Sequence, residues 1–336
     1  MTTRVAINVA LSLAMLAACV WLLWPDAATR AEVMAAATRR ELWPYIGGCV
    51  GLMAAVHLSR SLRWHNLLAP IGVRIDTPRL LAISSVGYLA ILALPARLGE
   101  LVRPGLIRQQ GHASASAALG TVAVERVVDG LLISLFVFGA FFAERGQPGA
   151  PGWMMPTAYV ALARPEATVD FALTISLLPR VAPSAATRLR GKLLDMIRGL
   201  SALRDRNNML VFLAWTIVYW TCNGLCVWLL ARGFGLDLSV IGGLAVIGVV
   251  GVGVSLPNAP GLFGQFQWFT MLGISVYLGP EVLQNEPAHP LYVRCFAFAN
   301  VLYATQIAWY VAMGALGLAT KYVSFADLRR ARRDRP

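Results

Sequence analysis

The chain has 336 residues, of which 57% are hydrophobic and only 14% charged, with a mean hydropathy of +0.62. Its polar residues fall in short blocks between apolar runs, which excludes a soluble globule with a polar exterior and indicates helices that face lipid. The formal charge of +12 does not indicate a nucleic-acid partner, because no soluble basic domain remains once the spans are set aside; it reports orientation in a membrane.

The predicted elements run as follows. Residues 5–24 form a first span behind Arg4, with no small-x-small cleavage site after it, so it is expected to be a retained helix and not a removed signal peptide. A second span covers 42–58. The apolar region 80–112 is interrupted by Pro95 and Gly99, with charges following. Residues 127–143 form the next span, and 153–179 a poor one, since it contains Arg164, Glu166 and Asp170. Spans follow at 209–231 and 291–318, separated by a second interrupted region, 238–279, broken at SLPNAPGLFG (255–264). Proline removes a backbone donor and glycine has low helix propensity, so each interruption is read as a broken or re-entrant helical hairpin. The domain assignment is a transmembrane region over 1–319 and a basic cytoplasmic tail over 320–336.

Lys and Arg counts set the orientation. Segments 59–80, 180–206 and 320–336 hold seventeen; segments 25–41, 144–152, 233–237 and 280–290 hold four. Basic connections stay cytoplasmic, so both termini are expected there, and 153–179 must then cross. The first interrupted region enters and returns on the cytoplasmic side, the second on the outer side. Units 42–143 and 209–318 therefore run in opposite senses, and their breaks share letters: LPARLGE at 94–100 and LPNAPGLFG at 256–264. Opposite orientation with matched interruptions is the pattern of an inverted-repeat transporter whose broken helices form the substrate site.

Charge inside such a bundle is costly, about 2.5–3.5 kcal/mol per group at mid-bilayer on insertion scales. Arg97, Glu100 and Arg103 follow the first break; Glu125, Arg126 and Asp129 lie in VAVERVVDGLL; Arg294 lies in the last span. The four arginines exceed the three acids by one, and with exposed backbone donors at the breaks the set suits phosphate. The alternative is that the same residues are salt bridges holding the two breaks together. Arg60, Arg63, Trp64 and His65 are read as ordinary interfacial anchoring at the inner end of the second span. The five cysteines lie in apolar runs and are read as small core residues, Cys222 and Cys226 sharing a helix face. With no histidine placed to complete a metal set, no metal is expected.

RSLRWHNLL (60–68), LPARLGELVRPGLI (94–107), VERVVDGLL (124–132) and SLPNAPGLFGQFQ (255–267) occur in an order that resembles the lysylphosphatidylglycerol synthase transmembrane region, or flippase-like, family over nearly the whole chain. The resemblance implies a polytopic lipid flippase-like domain. It makes Arg97, Gly99, Glu100, Arg103, Glu125, Arg126, Asp129, Pro257, Pro260, Gly261 and Gly264 motif positions. The sequence departs from the family where many members read P-G-G-x-G-x-x-E: Leu262 replaces the second glycine and Gln267 the glutamate. A neutral Gln267 argues against a cationic aminoacyl-lipid and adds this residue to the candidate substrate site. The aminoacyl-transferring domain of those lipid synthases is not expected in the tail. Lys192 is followed by Leu193, so no phosphate-binding loop is formed and ATP is not the expected driver.

These readings combine into an all-α polytopic bundle of two inverted repeats in the bacterial cytoplasmic (inner) membrane. Without a cofactor or catalysis, it moves a phosphate-bearing lipid or lipid-linked glycan by alternating access. The alternatives are a polyprenyl-phosphate glycosyltransferase or its accessory subunit, and a non-transporting scaffold whose partners are lipid-modifying enzymes.

Overall fold

The computed structural model describes residues 27–94, 99–109, 115–143, 206–255, 260–284 and 289–323, with the single positions 187 and 190. The predicted spans 5–24 and 153–179 lie outside these residues. Among the described residues the protein is all-α, with no strand. The helices are α1 (Ala27–Ala37), α2 (Trp43–Leu68), α3 (Thr77–Ala93), α4 (Val102–Gln109), α5 (Ala115–Ala143), α6 (Arg206–Gly233), α7 (Val240–Ser255), α8 (Gln265–Leu278) and α9 (Pro290–Ala319).

Among the described residues three stretches are long and apolar enough to cross a membrane: Arg40–Ile71, Asn207–Gly233 and Pro290–Ala319. A long helix, two shorter ones and another long helix occur twice in succession: α2 to α5 with 26, 17, 8 and 29 residues, then α6 to α9 with 28, 16, 14 and 30. Two predicted spans are longer than expected. The second, predicted at 42–58, continues to Leu68, and the one predicted at 127–143 begins at Ala115. In both cases the helix runs on through its charged residues, whose neighbours lie on other helices.

The helix ends follow local chemistry. After α2, Gly72 adopts φ 82°, and its N–H and that of Val73 donate to the Ala69 and Leu68 carbonyls at 3.0 and 3.2 Å, closing the terminus. Pro78 sits in the first turn of α3, where no donor is lost. Leu94 ends α3 in an extended conformation, φ −108° and ψ 134°, as a residue before proline requires.

The chain forms two compact units: Met1–Ala55, Ile133–Leu162 and Trp220–Trp309 make the first; Val56–Leu132, Ala163–Tyr219 and Tyr310–Pro336 the second. In the first unit α7 and α8 form an antiparallel hairpin. Gly253 lies against Phe269, and Gly273 against Val246, where a Cβ would stand 3.0 Å from the Val246 Cα. Gln265 Nε2 donates to the Gly253 carbonyl at 2.7 Å. Also in this unit, buried Cys49 and Cys226 each place a sulfur on the other's carbonyl, at 3.4 and 3.6 Å, holding α2 against α6.

The second unit holds the other hairpin, in which α4 returns along α3: Gly87 lies against Arg103 and Gly99 against the Ala90 backbone. Its apolar core includes Trp64, Leu68, Leu80, Ile83, Leu106, Ile107 and Phe212. Both interrupted regions are thus helical hairpins, as their proline and glycine content predicts.

Candidate functional site

The second unit carries a buried ionic cluster built from α2, α4 and α5. Arg63, fully buried on α2, donates from Nη1 and Nη2 to the two oxygens of Asp129 at 2.6 and 2.9 Å. Arg126, one turn before Asp129, adds an ion pair at 3.2 Å with its side chain 24% exposed. Arg103 on α4 donates from Nη2 to Glu125 Oε2 at 2.7 Å, and Arg63 Nε stands 3.7 Å from Glu125 Oε1. Glu125 and Asp129, four residues apart on α5, present both carboxylates to one side of the helix. Glu100 lies within electrostatic range of Arg126.

Aromatic rings surround these charges. The Arg103 guanidinium lies 4.7 Å from the Trp64 ring and 5.3 Å from Tyr88; that of Arg63 is 4.6 Å from Tyr219. Arg60 sits 4.0 Å over Tyr88, and its Nη1 donates to Tyr310 Oη at 3.3 Å. Trp64 Nε1 donates to Thr121 at 2.9 Å. Ser85 Oγ donates to the Leu81 carbonyl, leaving a lone pair toward His57 Nε2 at 2.8 Å. An arginine held on the face of an aromatic ring gains a cation–π attraction that grows as water is excluded.

Arg60, Arg63 and Trp64 are therefore core residues of this cluster, which corrects their reading as interfacial anchors. The physical reason is that Arg63 finds its partner on α5 and Arg60 its partners on α3 and α9, far away in sequence. The signal was present in the helical period: His57, Arg60, Arg63 and Trp64 recur at three- and four-residue spacing along one side of α2.

The candidate residues divide between the two units. Gly99, Glu100, Arg103, Glu125, Arg126 and Asp129 belong to the second. Pro260, Gly261, Gly264, Gln267 and Arg294 belong to the first, and Arg97 and Pro257 lie outside the described residues. In the first unit Pro260–Leu262 is a tight turn with Gly261 at φ 76°. Tyr303 Oη holds it by donating to the Gly261 carbonyl at 2.7 Å. Gly264, also at φ 76°, precedes α8. The Gln267 side chain is buried; its Oε1 accepts the Gly264 N–H at 2.9 Å and its Nε2 faces Asn300 Oδ1 at 3.4 Å. Gln267 thus caps the N-terminus of α8, with both ends of its amide engaged. Arg294 is exposed and lies near the Gly235 carbonyl, 3.5 Å away.

Among the described residues, no group of three or more His, Cys, Asp or Glu is placed to hold a metal. What the cluster offers is charge and hydrogen-bond donors: Arg63, Arg103 and Arg126 pair with the carboxylates of Glu125 and Asp129, and Arg60 lies on Tyr88.

A family model described as the lysylphosphatidylglycerol synthase TM region matches residues 5–283. Neither a curated protein nor a solved structure matches the chain.

Proposed function

Because the chain belongs to the lysylphosphatidylglycerol synthase transmembrane-region family, we propose that it moves a phosphate-bearing lipid or lipid-linked glycan between the leaflets of a membrane. The observation that carries this reading is the cluster of Arg63, Arg103, Arg126, Glu125 and Asp129, in which Arg63 and the two acids lie on the long, mainly apolar α2 and α5. Charged groups at membrane depth are costly enough that they mark substrate paths. With Arg60 and Glu100 counted, four guanidiniums stand against three carboxylates, an excess of one that favours an anionic passenger.

In this reading units 42–143 and 209–318 are inverted repeats, and access alternates between them as their hairpins rearrange. The repeated long–short–short–long order of helices supports it. Both termini face the cytoplasm of a bacterial inner membrane, on the evidence of the basic segments. The protein makes no covalent change to its passenger, and its partners are membrane lipids.

The test is the purified protein in liposomes carrying a fluorescent phospholipid in one leaflet. Faster equilibration than in protein-free vesicles supports transport. Formation of a new lipid product would favour the glycosyltransferase alternative, and neither result would leave the scaffold.

A further inference from the structure

Some of the cluster's polar atoms are buried with no hydrogen-bond partner among the described residues: Arg60 Nε, Arg103 Nε and Nη1, and the Tyr88 hydroxyl. Every one can donate. Their rings and guanidiniums are in contact, since Arg60 and Arg103 both lie against Tyr88, at 4.0 and 5.3 Å from its centroid. The nearby carboxylates already have cations beside them: Asp129 has Arg63 and Arg126, and Glu125 takes a hydrogen bond from Arg103 on Oε2 while its Oε1, without a hydrogen bond, stands 3.7 Å from Arg63 Nε. Arg60, only 9% exposed, has a phenol hydroxyl and ring faces around it, and no carboxylate within ion-pair distance among the described residues.

Buried donors without acceptors, and a buried cation without an anion, are both destabilising unless something supplies what is missing. Water would accept the hydrogen bonds but would leave the charge. A carboxylate would bring the charge, but its four acceptor directions lie in one plane. A phosphate brings the charge and at least as many acceptor directions as there are donors.

We propose that Arg60, Arg103 and Tyr88 form a binding site for one phosphate oxyanion, with the Tyr88 ring as the floor shared by both guanidiniums. Arg63 and Asp129, in the same cluster, fix α2 to α5 and do not contact the phosphate. The site rests on the transport reading only for the source of its phosphate, which is a lipid head group there and free phosphate otherwise.

The experiment uses the full-length protein in detergent. Inorganic phosphate is compared with chloride at equal ionic strength, and dioctanoyl-phosphatidylglycerol with the phosphate-free dioctanoylglycerol, by thermal stabilisation and calorimetric titration. The wild type should be stabilised by a phosphate-bearing probe and not by its phosphate-free counterpart. Stabilisation by inorganic phosphate as well as by the lipid identifies free phosphate as a ligand; stabilisation by the lipid alone identifies the head group. Tyr88→Phe keeps the ring and removes a buried unsatisfied hydroxyl, so its stability without ligand should be unchanged or higher while Kd rises about tenfold or more. Arg60→Gln should weaken binding further, and if it does not fold, Tyr88→Phe decides. Equal binding by wild type and Tyr88→Phe, or no preference for either phosphate probe, overturns the site. Binding with the expected variant pattern but no leaflet transfer would retain the site and remove the transport reading. Transfer with variant-independent binding would do the reverse.

Discussion

Asp129 receives two hydrogen bonds from Arg63 and an ion pair from Arg126, all close to or inside the core of the second unit. Asp129→Asn keeps the shape but leaves Arg63 without its charge partner. Breaking a buried pair in this way costs about 3–5 kcal/mol. Reversible unfolding in mixed detergent should show that loss, and a change under about 1 kcal/mol would mean that the pair is solvated. The importance of Glu125 and Asp129 was legible because carboxylates in an apolar run demand a partner. Their principal partner on α2 was not, because Arg63 looks like a span end when only its neighbours in sequence are read. Leu262 shows the opposite case. The family pattern has a glycine there, and the structure supplies the reason: Leu262 has φ 62°, the only non-glycine residue with positive φ among the described residues. A side chain in that region costs about 1–2 kcal/mol, part of which a glycine would return as entropy of the unfolded chain. Leu262→Gly should therefore raise stability by up to about 1 kcal/mol. A thermal shift downward would show that the leucine's contacts outweigh its backbone strain.

The two hairpins were legible as elements because proline and glycine punctuate both, and each break falls where those residues stand. The positions of close approach were not legible, since nothing in the sequence separates Gly87 and Gly253 from glycines that face open space, such as Gly51. In α7, a Cβ at Gly253 would enter the base of the Phe269 ring, which cannot swing aside as the tip of a flexible side chain would. Gly253→Ala should then destabilise the hairpin by about 1–3 kcal/mol, the range for overpacking. Phe269→Ala in the same chain should return part of that loss. The double-mutant cycle measures it: a coupling of about 1 kcal/mol or more supports direct contact, and strict additivity would place the cost elsewhere. Gln267 also belongs at this scale. Its departure from glutamate was visible in the sequence, but its position as the cap of α8 required the backbone of Gly264 to be seen beside it.

For the whole molecule, apolar composition gave the class and the basic segments gave an orientation that follows from one rule about loops. That orientation is open to a direct test with two exposed positions, Arg74 after α2 and Gln284 after α8. With the five native cysteines replaced, Gln284→Cys should react with an impermeant maleimide in intact cells, and Arg74→Cys only after permeabilisation. Labelling of Arg74→Cys in intact cells would reverse the orientation, and equal sidedness for both positions would remove the inverted repeat. In the proposed function a cation-rich cluster carries a phosphate group across the membrane. Its most direct measurement is the ratio of transfer rates for fluorescent phosphatidylglycerol and a fluorescent diacylglycerol-based glycolipid without phosphate, each in liposomes with wild-type protein and corrected for its protein-free rate. Protein-dependent transfer should be at least about tenfold faster for the phospholipid, the discrimination expected for about one charge-assisted hydrogen bond; equal rates for the two lipids, or no protein-dependent rate for either, would contradict the account.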